Sequence, residues 1–198
     1  RINDAANRVT AFHNGLETER VGIIYNGDDL SVTEGAKFNW TITKVVDDKT
    51  AGTLAITWTA EFPKGTPINP CNKTASATAP VFFPFGPNTA GEGTLSMLRS
   101  YAQGDDYVLG QANAPGQASA VNLSTDNTVC AANVATTTIP VDAAIPAGTR
   151  GIVALQGKPQ LPVPAGMSTA HWTYPLMFVR VPTPTYEFVV GTGAKATD

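Results

Sequence analysis

Leu54, Ile56, Trp58, Ala60 and Phe62 alternate with Ala55, Thr57, Thr59 and Glu61. A period of two cannot line one side of a helix, but it gives a strand one apolar face and one threonine-lined face. Phe38, Trp40 and Ile42, set against Asn39, Thr41 and Thr43, repeat the rhythm, and Asp47-Asp48-Lys49-Thr50 between the two runs suits a hairpin connection. The stretch 21–25 reads as a further strand, stopped by the turn signal Asn26-Gly27. Apolar runs over 81–85, 94–98, 107–109, 151–155, 172–181 and 186–190 follow, each bounded by Gly, Pro, Asn or Asp. Pro175, Pro182 and Pro184 would interrupt a central ladder, so they place the end of the chain on an edge or at a bulge. Many short strands joined by Pro- and Gly-containing connections predict an all-β fold, an antiparallel β-sandwich or jelly roll with at most one short N-terminal helix.

Two regions depart from this rhythm. Ile2, Ala5, Val9, Phe12 and Leu16 are spaced three to four apart, Asn3 or Asp4 can cap, and Asn14-Gly15 can end a helix over 4–13. That helix is marginal by itself. The alternative is that 1–20 form an extended assembly arm whose stripe of Ile2, Val9, Phe12 and Leu16 orders only against a neighbour. Residues 63–80, rich in Pro, Thr, Ala, Asn and Ser without apolar period, read as a long loop or a hinge. A chain of 198 residues can bury a full core, and one all-β domain over 1–198 is the expectation.

Composition narrows the class. Charged residues are 15% of the chain, below the usual quarter, so the surface must be dominated by Thr, Ser, Asn, Gln and Ala. This suits an extracellular protein, or one placed on a virion or cell surface, better than a cytosolic enzyme. A net charge of −3 with 13 scattered basic residues argues against a direct nucleic-acid grip. No apolar run is long enough for a membrane span, and Arg1-Ile2-Asn3-Asp4 has no signal-peptide core, so export would imply a signal already removed. Cys71 and Cys130 sit in loop-like surroundings, and a disulfide between them is expected, with two free thiols as the alternative. Asn39, Asn72 and Asn122 begin N-x-S/T triplets and are glycosylation candidates.

Candidate catalytic chemistry is sparse. The chain contains no G-x-S-x-G, H-E-x-x-H, P-loop or G-x-G-x-x-G motif, so the expectation is a protein that is not an enzyme and needs no cofactor. Its two histidines, His13 and His171, have no spacing that asks for a shared metal. Of the acidic pairs Asp28-Asp29, Asp47-Asp48 and Asp105-Asp106, the last follows Gly104 and offers the best candidate Ca²⁺ ligands, Asp105 and Asp106. Neighbouring strand residues point to opposite faces and Asp is a favoured turn residue, so no metal site is assigned on these grounds. Trp172, Tyr174, Phe178, Tyr186 and Phe188 suit either core packing or a stacking platform for sugar rings.

The stretch Thr50-Ala51-Gly52-Thr53-Leu54-Ala55-Ile56-Thr57-Trp58-Thr59-Ala60-Glu61-Phe62, followed by Pro63, resembles the closing shell strand of small icosahedral RNA-virus jelly-roll coat proteins, in which a hinge then leads to a protruding domain. A shell domain of that family needs many more residues before this strand, and its basic N-terminal arm is missing here. The resemblance therefore implies a fragment or processed product, or the same strand placed elsewhere in a different jelly roll, and it carries over no functional residue. Together these readings predict a structural subunit of a self-assembling extracellular particle or fibre, whose partners are copies of itself. A secreted carbohydrate-binding module, with glycans as partners, is the alternative.

Overall fold

The computed structural model describes residues 24–25, 28–72, 95–110, 116–141, 143–162 and 176–196. Along the chain lie β1 (Ile24–Tyr25), β2 (Asp28–Asp29), α1 (Leu30–Gly35), β3 (Asn39–Asp48), β4 (Thr53–Glu61), β5 (Pro67–Ile68), β6 (Ser96–Gln103) and β7 (Asp106–Leu109). Then come β8 (Ser119–Asn122), β9 (Thr128–Ala131), β10 (Val134–Pro140), β11 (Arg150–Gln156), β12 (Gln160–Pro162), β13 (Leu176–Phe178) and β14 (Thr185–Val189). The first sheet has the order β3-β4-β10-β9, with β5 beside β4; the second has β14-β11-β6-β7, with β8 beside β6. β1 with β2, and β12 with β13, form separate two-stranded pairs. All the pairings are antiparallel, and the two main sheets form a sandwich loosely consistent with a jelly-roll path. The helix and arm proposed over 1–20, including Ile2, Val9, Phe12 and Leu16, lie outside the described residues, as do the run 81–85, both histidines, Trp172 and Tyr174.

β4 behaves as its alternation requires. Leu54, Ile56, Trp58 and Ala60 are fully buried, while Thr53, Ala55, Thr57, Thr59 and Glu61 face outward, half-buried. The hairpin before it forms because the Asp48 Oδ1 accepts the backbone N–H groups of Thr50 and Ala51, at 3.0 and 2.9 Å, which pins the turn. β3 alternates only as far as Ile42. A bulge between Ile42 and Lys44 shifts the register, so Val45 and Asp47 turn inward and Val46 turns out. Thr43, the extra residue, donates its Oγ1 hydrogen to the Thr57 carbonyl at 3.2 Å.

Trp58, Thr137 and Thr128, buried in the first sheet, form a continuous relay with Asn127. Trp58 Nε1 donates to Thr137 Oγ1 at 3.0 Å, Thr137 and Thr128 share a hydroxyl contact at 3.0 Å, and Thr128 Oγ1 donates to Asn127 Oδ1 at 2.9 Å. With Asn127 taking the Thr128 hydrogen, Thr137 must donate to Thr128, and every member is satisfied. Asn127 Nδ2 donates onward to the Asn122 carbonyl at 2.7 Å, at the end of β8, so the relay also ties the first sheet to the second.

The core between the sheets is one apolar cluster that includes Trp58, Ile56 and Ile139 of the first sheet and Met97, Tyr101, Val153, Leu155 and Phe188 of the second. Phe188 stands opposite Gly151, and a side chain at Gly151 would meet the Phe188 ring at 2.5 Å. The glycine is therefore the floor on which that ring packs. At the sandwich rim the Gly191 N–H donates to Asp47 Oδ2 at 2.7 Å, joining the bulged strand to the turn after β14. Gly193 has φ 69° and lies against β3, where a Cβ would sit 2.5 Å from the Val45 carbonyl, so only glycine closes this rim.

Residues 63–72 are a tight return anchored to the first sheet. After the cis Phe62-Pro63 peptide, Thr66 donates its N–H to the Pro63 carbonyl, β5 pairs with the end of β4, and Ile68 enters the core. Cys71 is then joined to Cys130 of β9 by a disulfide, as expected from the cysteine pair. Bridging residues 59 apart stabilises the fold by roughly 4 kcal/mol in the chain-entropy view. Residues 73–80 lie outside the described part.

Candidate functional site

The outward face of the first sheet is an ordered array. The register sets Thr41, Thr59 and Val134 in one row, Lys44, Thr57, Thr136 and Val129 in the next, then Val46, Ala55 and Thr138, then Asp48, Thr53 and Pro140. Val129, Val46 and Val134 are 71%, 41% and 40% exposed and account for three of the five exposed large apolar residues among those described. The face has two halves. Over β3 it carries Lys44, Asp48 and the neighbouring Glu61; over β10 and β9 it carries only Thr, Val, Ala and Pro. Glu61 is held in place by the Asn39 amide at 2.9 Å and the Gly65 N–H at 3.0 Å, and these two donors push its carboxyl below the ordinary glutamate range.

On the outward face of the second sheet an ion cluster takes the place of this array. Arg150 Nη2 donates to Glu187 Oε2 at 3.0 Å, and the Arg150 guanidinium carbon lies 5.6 Å from the centre of the Tyr107 ring. Ala102, opposite Tyr107, is small enough for Arg150 to reach across it. The Tyr107 hydroxyl is buried and completes no hydrogen bond of ordinary geometry, yet it stands close enough to be felt by Glu187 and Arg150. Tyr107 first and Arg150 second hold the Glu187 carboxyl below its usual range, while burial pushes the Tyr107 phenol up. A cleft of about 470 Å³ opens beside this cluster, where the bulged strand meets the end of the chain. Ile42, Thr43, Thr185, Tyr186, Glu187 and Lys195 line most of it.

The residues singled out from sequence are dispersed. Asn39 is exposed on β3 with its amide on Glu61, Asn72 follows the disulfide cysteine, and Asn122 ends β8 with its Oδ1 accepting the Ser96 hydroxyl at 2.8 Å. Asp105 and Asp106 sit exposed at the tip between β6 and β7, and among the described residues no cluster of three His, Cys, Asp or Glu forms there or elsewhere. Of the aromatic tail, Phe188 is fully buried in the core and half-buried Tyr186 reaches the cleft. The Tyr107, Arg150 and Glu187 grouping left no trace in sequence spacing, because three strands far apart along the chain bring it together. No helix among the described residues is long and apolar enough to cross a membrane.

Compared with models of known protein families, the chain matches none, and a search among curated proteins likewise finds no match.

Proposed function

We propose that this protein is a structural subunit of an extracellular or virion-surface assembly, built from copies of itself. The observation that carries this reading is the first sheet's outward face, where exposed Val129 and Val134 lie among threonines with no charge over the β10–β9 half. Threonine and valine side chains lose little entropy on burial and leave no ion to desolvate, so such a face can be covered at small cost. A coat-like role, as in the RNA-virus proteins that the β4 stretch resembles, is the most specific form of the proposal. Sedimentation velocity and electron microscopy of native material test it, with large regular particles or fibres expected. A monomer at every concentration would sink it.

The cleft beside Tyr186 favours a second reading, a carbohydrate-binding module. A tyrosine ring flanked by the Thr43 and Thr185 hydroxyls, the Glu187 carboxylate and the Lys195 ammonium offers both stacking and hydrogen bonds to a sugar. Glycan-array screening would then give a hit lost in Tyr186→Ala, and a blank array would remove this reading.

A further inference from the structure

Among the described residues, all but one of the strands that end the two sheets are protected against pairing with another chain. β3 carries the Thr43 bulge together with Lys44 and Asp48. β14 follows Pro182 and Pro184, and its free side is covered by the chain's own tail: Val189 donates its N–H to the Ala194 carbonyl, Ala196 donates to Glu187, and Lys195 bridges Phe188. The far side of β6 is shared by β7 and β8, two separate four-residue segments, so that edge is not one continuous strand. Bulges, prolines, charges and covering segments are the usual means of blunting an edge.

Among the described residues β9, itself four residues long and tied to Cys71 by the disulfide, has no bulge, proline, charge or pairing segment on its free side. It pairs with β10 on one side only, and residues 127–141 contain no Asp, Glu, Lys or Arg. Its hydrogen-bond phase is set by the two-residue turn Ala132-Asn133 at one end and by the Thr138 N–H donating to the Asn127 carbonyl at the other. In an antiparallel ladder the pairs bonded to β10 are then 131 with 134, 129 with 136 and 127 with 138, so Cys130 turns both its N–H and its C=O to the free side. Thr128 also faces that way, but its N–H is already taken by the Ser124 carbonyl at 2.9 Å. Cys130 has no such main-chain partner among the described residues.

We infer that β9 is the site at which a second copy of this chain adds to the first sheet. The inference rests on the assembly reading above and names the contact. A two-fold axis through the edge sets Cys130 against Cys130 of the second copy, so each Cys130 exchanges both main-chain groups. Val129 then faces Ala131 of the other chain, and the two uncharged half-faces become one. Symmetry favours a second copy over a foreign strand, because residues near a two-fold meet their own kind. An edge bearing Lys44 or Asp48 would set like charges together there, and β9 sets none.

Sedimentation velocity on the whole chain, Val129→Lys and Thr41→Lys tests the contact. Val129 is 71% exposed, so the lysine leaves the fold intact, which circular dichroism checks. Association at least tenfold weaker in Val129→Lys, with Thr41→Lys on the opposite edge like the wild type, is the expected result. Wild-type assembly matched by Val129→Lys would overturn the β9 contact while leaving the assembly reading in place; a wild type that never associates would remove both. Amide exchange gives a readout without substitution: the Cys130 N–H should exchange slowly at associating concentrations and fast on dilution, and a rate independent of concentration also overturns the contact.

Discussion

The two sheets treat their polar residues in opposite ways. At the centre of the first, Thr137 and Thr128 are buried and satisfied through the chain from Trp58 to Asn127, and an orphan atom, Asp47 Oδ1, lies at its rim; inside the second, Arg99 is only 7% exposed and its Nε and Nη1 have no hydrogen-bond partner. Outside, the relation is reversed. The second sheet closes its ions on one another through Arg150, Glu187 and Tyr107, whereas the first leaves a face of hydroxyls and methyls open. Short hydroxyl side chains can be satisfied across neighbouring strands by register, as Thr137 and Thr128 are.

The largest expected effect tests the relay side of this contrast. Trp58→Ala empties the fully buried centre of the first sheet and removes the donor to Thr137, and it should lower stability by about 3–5 kcal/mol, read from urea unfolding. A loss under about 1 kcal/mol would mean that the relay does not organise that sheet. Arg99→Met probes the other interior with the opposite sign. Removing two buried N–H groups that find no acceptor, while keeping the apolar stem, should raise stability by about 1–3 kcal/mol in the same assay, and a loss of similar size would show that the guanidinium is compensated.

A smaller gain is expected at the hairpin that carries the proposed contact. Ala132 holds φ 51°, a left-handed conformation that glycine adopts more readily, so Ala132→Gly should raise the urea midpoint by an amount equivalent to about 0.5–1 kcal/mol. A lowered midpoint would show that the turn tolerates alanine without strain.

The smallest effect belongs to the exposed ion cluster and depends on pH. Glu187 and Glu61 have carboxyls held below the ordinary glutamate value of 4.5, so their ionised forms favour the folded state above that pH. The contribution is lost as pH falls from 4.5 through the lowered folded-state values. The Tm should therefore decline below that point, and Glu187→Gln should lower the neutral-pH plateau slightly and make the decline shallower, so that the two curves converge in acid. A slope untouched by the substitution would leave the second sheet's outer face without an electrostatic role.

Sequence alone determined the class of fold and the identity of one sheet face. The alternation from Leu54 to Phe62 survives intact because β4 is central and flanked along its length, so each side chain's environment follows from parity. The cysteine pair was legible for a similar reason, two residues of one chemistry having a single partnership to form. The bulge at Thr43 was not, since it only becomes favourable once the Thr57 carbonyl is beside it. β8, β9 and β10 were also hidden: their runs carry Thr, Asn and Ala where strands usually show Val, Ile or Phe, and Thr137 is buried because Trp58 and Thr128 satisfy it. The six-residue α1 left no apolar spacing to read, and exposed Val32 confirms how little of it the core uses. The edge position of β9, the neutral half-face beside it and the meeting of Tyr107, Arg150 and Glu187 are properties of strand order. Strand order is decided by long-range pairing and burial, which local periodicity does not encode.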